Sequence, residues 1–303
     1  MTPDLNIIDA HQHFWDIERN YLPWLCDEPM IPFRYGDYGA IRRNYLPPDY
    51  LADCGKHKIV KSVYVETEWN PEDPIGETRW VHQIQQQYGY PHAVVAQAWL
   101  DRDDVAEVLK AQAAFPLLRG IRHKPKAAAT PDDVVRGTLG SMGDPRWRAG
   151  YALLESHGLS FDLQTPWWHL DEAAELARDF PGIQIILNHT GLPADRSEAG
   201  LKAWRDAMQT LAELSNVAVK ISGIGIPDQP WRPQDNRRVV LDTITIFGVE
   251  RCMFASNFPV DKLVVDFDTL IAGFQEMVKA FSRTDQIKLF HDNALRYYRL
   301  TNH

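Results

Sequence analysis

Eight times along the chain a short apolar run of strand length recurs, and helical stretches lie between most of the runs. The first four are NIIDAH, KSVYVETE, AVVAQAW and LRGIRHK; the last four are LSFDLQT, IQIILNH, NVAVKIS and RCMFASN. Strands alternating with helices imply a parallel sheet, because parallel neighbours need a crossover between them. Eight such units predict an α/β fold closed into a (β/α)8 TIM barrel, one domain over residues 1–303. An open doubly wound sheet is the structural alternative, but no Gly-rich phosphate fingerprint supports it. One helix is explicit in SEAGLKAWRDAMQTLAEL, where Leu201, Trp204, Met208 and Leu211 recur at helical spacing behind a Ser197 cap.

Composition narrows the class of partner. With 45% hydrophobic residues the chain can fill a large core, and no apolar run is long enough to span a bilayer. Against 32 basic residues stand 41 acidic ones, a formal charge of −9 without a basic block. Nucleic acid and anionic membrane are therefore excluded as expected partners, which leaves a small-molecule ligand. The opening MTPDLNIIDAHQHFWD has no signal-peptide pattern, and Cys26, Cys54 and Cys252 lack metal-type spacing. A cytoplasmic protein is expected.

Strand alternation assigns faces, since residues two apart point the same way. It turns Asp9, His11 and His13 inward and Ile8 and Ala10 outward in the first run. In the second, Tyr64 and Glu66 point inward, with Val63 and Val65 toward the helices. The fifth run presents Ser160, Asp162 and Gln164 to the axis, and the seventh presents Ala218, Lys220 and Ser222. Residues 14–60 form a long first βα loop, rich in Pro and Gly from Pro23 to Gly55, and are read as a lid or pocket wall. An exterior cover packed on the barrel is the plainer reading of the same segment.

A polar inner face near the strand ends is where a barrel enzyme keeps its chemistry. His11 and His13, two apart at the first strand end, converge on one point and suit a metal or a carbonyl oxygen. Two structural histidines bonded to each other would give the same spacing. His189 ends the sixth run in register with Ile185 and Leu187, either as a site residue or as a satisfied core histidine. Arg122 and Lys124 share a face at the fourth strand end, where they would clamp a carboxylate or form an ordinary ion pair. His123 and His169 read as structural. Lys220, if inward, needs a carboxylate partner such as Glu66 or Asp9.

The segments IDAHQHFWD, LNHTGLP, VKISGI, FASNFPVD and FHDNALRYYRL, in that order, resemble the amidohydrolase-related family 2. More narrowly, the resemblance is to its lactonase branch, which includes 2-pyrone-4,6-dicarboxylate lactonase and sugar-acid lactonases. It implies a hydrolase of a lactone ester with its site at the strand C-termini. It also implies that His11, His13 and His189 surround the scissile carbonyl, in some members through one divalent metal such as zinc and in others with none. A two-metal site is not expected, because the fifth strand ends near Gln164 rather than in a histidine and the fourth run shows no lysine suited to carbamylation.

The chain departs from that family at the eighth strand. Ser-Asp-Trp-Pro is usual there, and its aspartate activates water; here the residues are Ser256-Asn257-Phe258-Pro259. A neutral amide is no general base and brings no charge to a cation. Asp261, four residues on, is the first expected replacement, followed by Glu66, Glu68 and Asp9. Asn257 then joins Arg122 and Lys124 as a substrate-binding residue. The alternatives to a lactonase are a metal-dependent decarboxylase of the same superfamily and a non-catalytic ligand-binding barrel.

Overall fold

A computed structural model describes residues 5–301. Its eight strands form one sheet in chain order, each parallel to the next. They are β1 (Ile7–Gln12), β2 (Ile59–Val65), β3 (Ala93–Gln97), β4 (Leu118–Arg122), β5 (Ser160–Leu163), β6 (Ile185–Leu187), β7 (Val217–Ile221) and β8 (Cys252–Phe254). Each falls on one of the eight apolar runs. Six helices carry the chain back between successive strands from β2 to β8, and Phe267–Met277 follows β8. The architecture is the expected (β/α)8 barrel. Among the described residues no helix is long and apolar enough to cross a membrane.

The two edges of the sheet meet at a seam that assembles part of the site. Gln12 bridges Phe258, the Asn257 N–H donates to the His11 carbonyl at 2.8 Å, and the His13 N–H donates to the Phe258 carbonyl at 2.8 Å. These bonds bring the ends of β1 and β8 together, so residues far apart in sequence become neighbours. Asp9 is built into the same seam. Its carboxylate accepts from the Ser256 N–H at 2.8 Å, the Ser256 hydroxyl at 2.5 Å and the Tyr50 hydroxyl at 2.8 Å. With both oxygens engaged it is a fastener, neither a base for the cavity nor the partner of Lys220.

Two face assignments are corrected. Ile8 and Ala10 of β1 and Val63 and Val65 of β2 pack inside the barrel with Ile186, Ala218 and Met253, against Tyr298 from the C-terminal segment. Tyr64 faces outward, where its hydroxyl donates to Glu77 at 2.8 Å. The lower barrel axis is itself a packed apolar core, so apolar residues stand on both faces there. In β1 a register shift between Asp9 and Gln12 also breaks simple alternation. For β5 and β7 the assignments hold: Phe161, Leu163, Val217, Val219 and Ile221 pack toward the helices, while Asp162 and Lys220 meet inside. The helix Glu198–Ala212 buries Leu201, Trp204, Met208 and Leu211, and its Ser197 hydroxyl accepts from the Gly200 N–H at 3.0 Å.

The long first βα connection turns one side toward the strand ends. Trp24 packs on Trp15, Phe33 and Tyr38 with ring centroids 5.5–5.7 Å apart, an aromatic block that stiffens an otherwise irregular segment. Trp15, Trp24, Phe33 and Arg34 form part of a cavity wall, as the pocket-wall reading requires.

Candidate active site

A cavity of about 360 Å³ opens at the C-terminal ends of the strands. His13, Glu66, Arg122, Lys124, His189 and Asn257 all line it, contributed by the ends of β1, β2, β4, β6 and β8. His11 lies just behind that wall. Its ring centroid is 4.9 Å from that of His13 and 4.8 Å from that of His189. The three histidines of the sequence reading thus form one buried cluster.

Hydrogen bonds fix the cluster's chemistry. His13 Nδ1 lies 2.7 Å from the Val65 carbonyl, which can only accept, so the ring proton sits on Nδ1 and Nε2 carries a lone pair. Asn257 Nδ2 donates to Asp261 at 2.7 Å, which turns Asn257 Oδ1 toward His13 Nε2 at 3.3 Å. Two acceptors therefore face each other with no hydrogen between them. His11 Nε2 stands 3.2 Å from the same His13 nitrogen. His189 Nδ1 is 2.9 Å from the Ser222 hydroxyl, which can donate or accept. In the tautomer in which Ser222 donates to that nitrogen, His189 Nε2–H is a donor.

Backbone strain concentrates at this cavity. Among the described residues seven non-glycine residues have positive φ, and Glu68, His189, Leu192 and Asn257 of these line it. Such conformations cost roughly 1–3 kcal/mol each and persist where the surroundings hold them, commonly at functional sites. His189 shows the use of the strain. It shares parity with the outward-facing Ile185 and Leu187, and the left-handed turn (φ 55°) redirects it toward the cavity. Gly223 makes room for that turn. A Cβ there would come within 2.5 Å of His189 Nδ1 and 2.9 Å of Arg34, at a φ of +58°.

Burial holds all three imidazoles neutral. It pushes His13 down to about 3, helped by the charge of Arg122. His11 and His189 fall well below the usual imidazole value, first through burial, then through Lys220 for His11 and Arg34 for His189. The unfolded chain, titrating near 6.5, binds more protons than the native barrel between that value and the depressed ones. Stability from these groups is therefore fully present above about pH 6.5 and is lost as pH falls below it. The urea midpoint should drop steadily from pH 7 to pH 5, and His13→Gln should flatten the slope. A wild-type midpoint that does not move over that range would contradict this burial.

The candidate carboxylates are placed differently from one another. Asp261 does not line the cavity. It sits behind Asn257 and accepts from Asn257, from the Tyr35 hydroxyl at 3.2 Å and from the Gly223 N–H at 3.2 Å, with Arg34 3.6 Å away. Burial raises its carboxyl pKa. The expectation that Asp261 itself meets the water gives way to a positioning role for it, orienting the Asn257 amide. Glu66 lines the cavity, with Oε1 held by Arg122 at 2.5 Å and Oε2 by the Glu68 N–H at 2.7 Å. Lys124 pairs with Glu68 at 2.7 Å. Lys220 does find a carboxylate, but it is Asp162, at 2.5 Å, rather than Glu66 or Asp9. His123 and His169 are structural as read, capped by Trp147 and by Glu172. Arg34 is the charged cavity residue that sequence reading missed, because nothing in the pattern of the long connection between β1 and β2 marks it.

The cluster itself would offer a divalent ion three neutral imidazoles and a neutral amide, with no carboxylate among them. Among the described residues no three His, Cys, Asp or Glu side chains are placed to hold one. A neutral amide occupies the position of the family's carboxylate, and the Lys220 ammonium lies 3.4 Å from His11 Nδ1, where it opposes a second cation. Asn257→Asp would restore an anionic ligand. After identical dialysis against chelator, wild type is expected to retain well under one zinc per chain and the variant distinctly more. A full equivalent in wild type, with no gain in the variant, would mean that another group already supplies the charge.

A cavity at the strand ends of a (β/α)8 barrel, lined by histidines from β1 and β6, is the arrangement of an enzyme of the amidohydrolase superfamily. The chain belongs to the amidohydrolase family, whose model matches residues 8–300. It is 41% identical over 297 residues to the uncharacterized protein y4mH of Sinorhizobium fredii, covering 98% of this chain and 99% of that one. To an L-fucono-1,5-lactonase of Burkholderia ambifaria it is 28% identical over 304 residues, covering 97% and 95%. Among solved structures it resembles an amidohydrolase of Burkholderia multivorans crystallised with zinc, with a TM-score of 0.81, 24% identity and coverage of 98% and 100%, a likeness of fold.

Proposed function

We propose that this enzyme hydrolyses the lactone ring of a small anionic acid. The observation that carries the reading is the facing pair of acceptors, His13 Nε2 and Asn257 Oδ1, 3.3 Å apart at the cavity wall. A water that donates one hydrogen to each is held with its lone pair turned to the substrate. His13 Nε2 takes the proton as the water oxygen attacks the ester carbonyl; the ring C–O bond then breaks and the leaving oxygen takes that proton back. The products are one hydroxy acid and the free site. An imidazole held near 3 is about as basic as the ordinary aspartate, near 3.9, that the family uses there. His189 Nε2–H donates to the developing oxyanion.

Charge supports an anionic substrate. Arg34, Arg122 and Lys124 line the cavity, and the two carboxylates that line it, Glu66 and Glu68, are each paired with one of these cations, so an anion meets no unpaired negative charge there. Lys124 is the most exposed of the three, at 35% against 27% for Arg34 and 4% for Arg122. Similarity to L-fucono-1,5-lactonase points to the same class of reaction. The test is hydrolysis across a panel of sugar-acid lactones and pyrone dicarboxylates, followed by proton release. At least one substrate should turn over and be lost on His189→Ala. Carbon dioxide release without ring opening would move the assignment to a decarboxylase, and binding with no turnover by folded protein would make the barrel a ligand carrier.

A further inference from the structure

A second cavity of about 330 Å³ adjoins the first and shares Trp24, Ile31 and Glu68 with it as a common wall. Its character is different. Trp24, Trp69 and Trp99 line it together with Pro29 and Pro71, and no Lys or Arg does. The indole N–H groups of two of these rings are already engaged. Trp24 donates to the Thr67 carbonyl at 2.8 Å, and Trp99 donates at 3.2 Å to Gln97 in the amide orientation its neighbours require. That Gln97 amide in turn donates to Glu66 at 3.0 Å, tying the Trp99 ring to the first cavity's ion pair. Arg102 stacks over the Trp99 ring at 5.3 Å and is not part of the cavity wall. Trp24 and Trp99 therefore bring apolar ring surface to the cavity rather than free donors. Ile31, 53% exposed, stands at the boundary as an apolar side chain left in water when the cavities are empty.

We infer that the second cavity is a subsite for a neutral ring with a flat apolar face, carried by the same substrate whose anionic end sits against Lys124. The inference rests on the proposed function for the anionic end only. Charge separates the two compartments: three cations line the first, while Asp27 and Glu68 are the only charged groups that line the second, which offers an anion no cation. An indole face, in contrast, attracts aryl rings and the apolar faces of sugar rings alike. The shared wall makes the two cavities one elongated site. A substrate spanning both would cover Ile31, and its ring end would supply binding energy remote from the reacting ester.

Calorimetric titration of the full chain with ω-phenylalkanoates of increasing length tests this, alongside matching ω-glucosyloxyalkanoates and plain alkanoates. At one chain length or more, a ring should tighten Kd about tenfold, the factor that 1.4 kcal/mol represents. Trp99→Ala should abolish that gain and leave plain alkanoate binding within about twofold, whereas Trp99→Phe should keep it. A gain confined to phenyl ends identifies an aryl substituent, and one confined to glucosyl ends a glycosyl substituent. No gain at any length, or a gain that survives both Trp99→Ala and Trp69→Ala, overturns the subsite. If Lys124→Met leaves alkanoate binding unchanged, it is the anionic anchor that fails. Uncharged ω-phenylalkanols then read the second cavity alone, and binding indifferent to Trp99 would overturn it there too.

Discussion

Asp162→Ala is expected to destabilise the barrel by about 3–5 kcal/mol, because it strands a fully buried ammonium without its counter-charge. Lys220 and Asp162 are both inaccessible to solvent, and their contact is 2.5 Å. Asp162 also accepts from Asn188 at 2.9 Å and from the Tyr298 hydroxyl at 3.0 Å, so its removal takes an acceptor from each of them as well. Burial already pulls Lys220 down to about 8, with Asp162 opposing that fall. The urea midpoint reads the effect, provided the slope of the transition is unchanged. Replacing both partners, as Asp162→Leu with Lys220→Met, should recover much of the loss, because the desolvation of two charges disappears together with their attraction. An Asp162→Ala protein as stable as wild type would mean that water or another group satisfies Lys220.

The same pair shows what could be read from sequence and what could not. Alternation in β5 and β7 puts Asp162 and Lys220 on the axis, because polar residues there interrupt outward-facing apolar ones. It gives no register between strands that are not neighbours, so it could not say that these two residues meet. Apolar residues on both faces hid the orientation of Ile8, Ala10, Val63 and Val65, since a packed barrel axis removes the polar contrast on which alternation depends. His11, His13 and His189 were legible as strand-end residues. The acceptor pair was not, for it depends on the β1–β8 seam and on left-handed turns at His189 and Asn257, which a local pattern does not specify. Asp261 was found by proximity in sequence to Asn257. Whether it faced the cavity or the back of the amide was a question of side-chain direction that spacing leaves open.

Direction also decides how loss of each histidine should appear. On a substrate found by the lactone panel, His13→Ala is expected to lower kcat/KM by about 10²–10⁴, the range for general-base catalysis. His189→Ala removes an oxyanion donor and should lower it by about 10²–10³. Both losses should fall on kcat, since a base and an oxyanion donor act in the transition state more than on bound substrate. Lys124→Met should instead raise KM with little change in kcat, as fits a residue that holds the substrate's anionic end. Added imidazole should restore part of the His13→Ala activity by entering the space the ring leaves beside Asn257, and a merely structural histidine would show no such rescue. Circular dichroism and the urea midpoint establish that each variant is folded. A folded His13→Ala enzyme within about threefold of wild type would remove His13 as the base, and Glu66 would then be tested with Glu66→Gln.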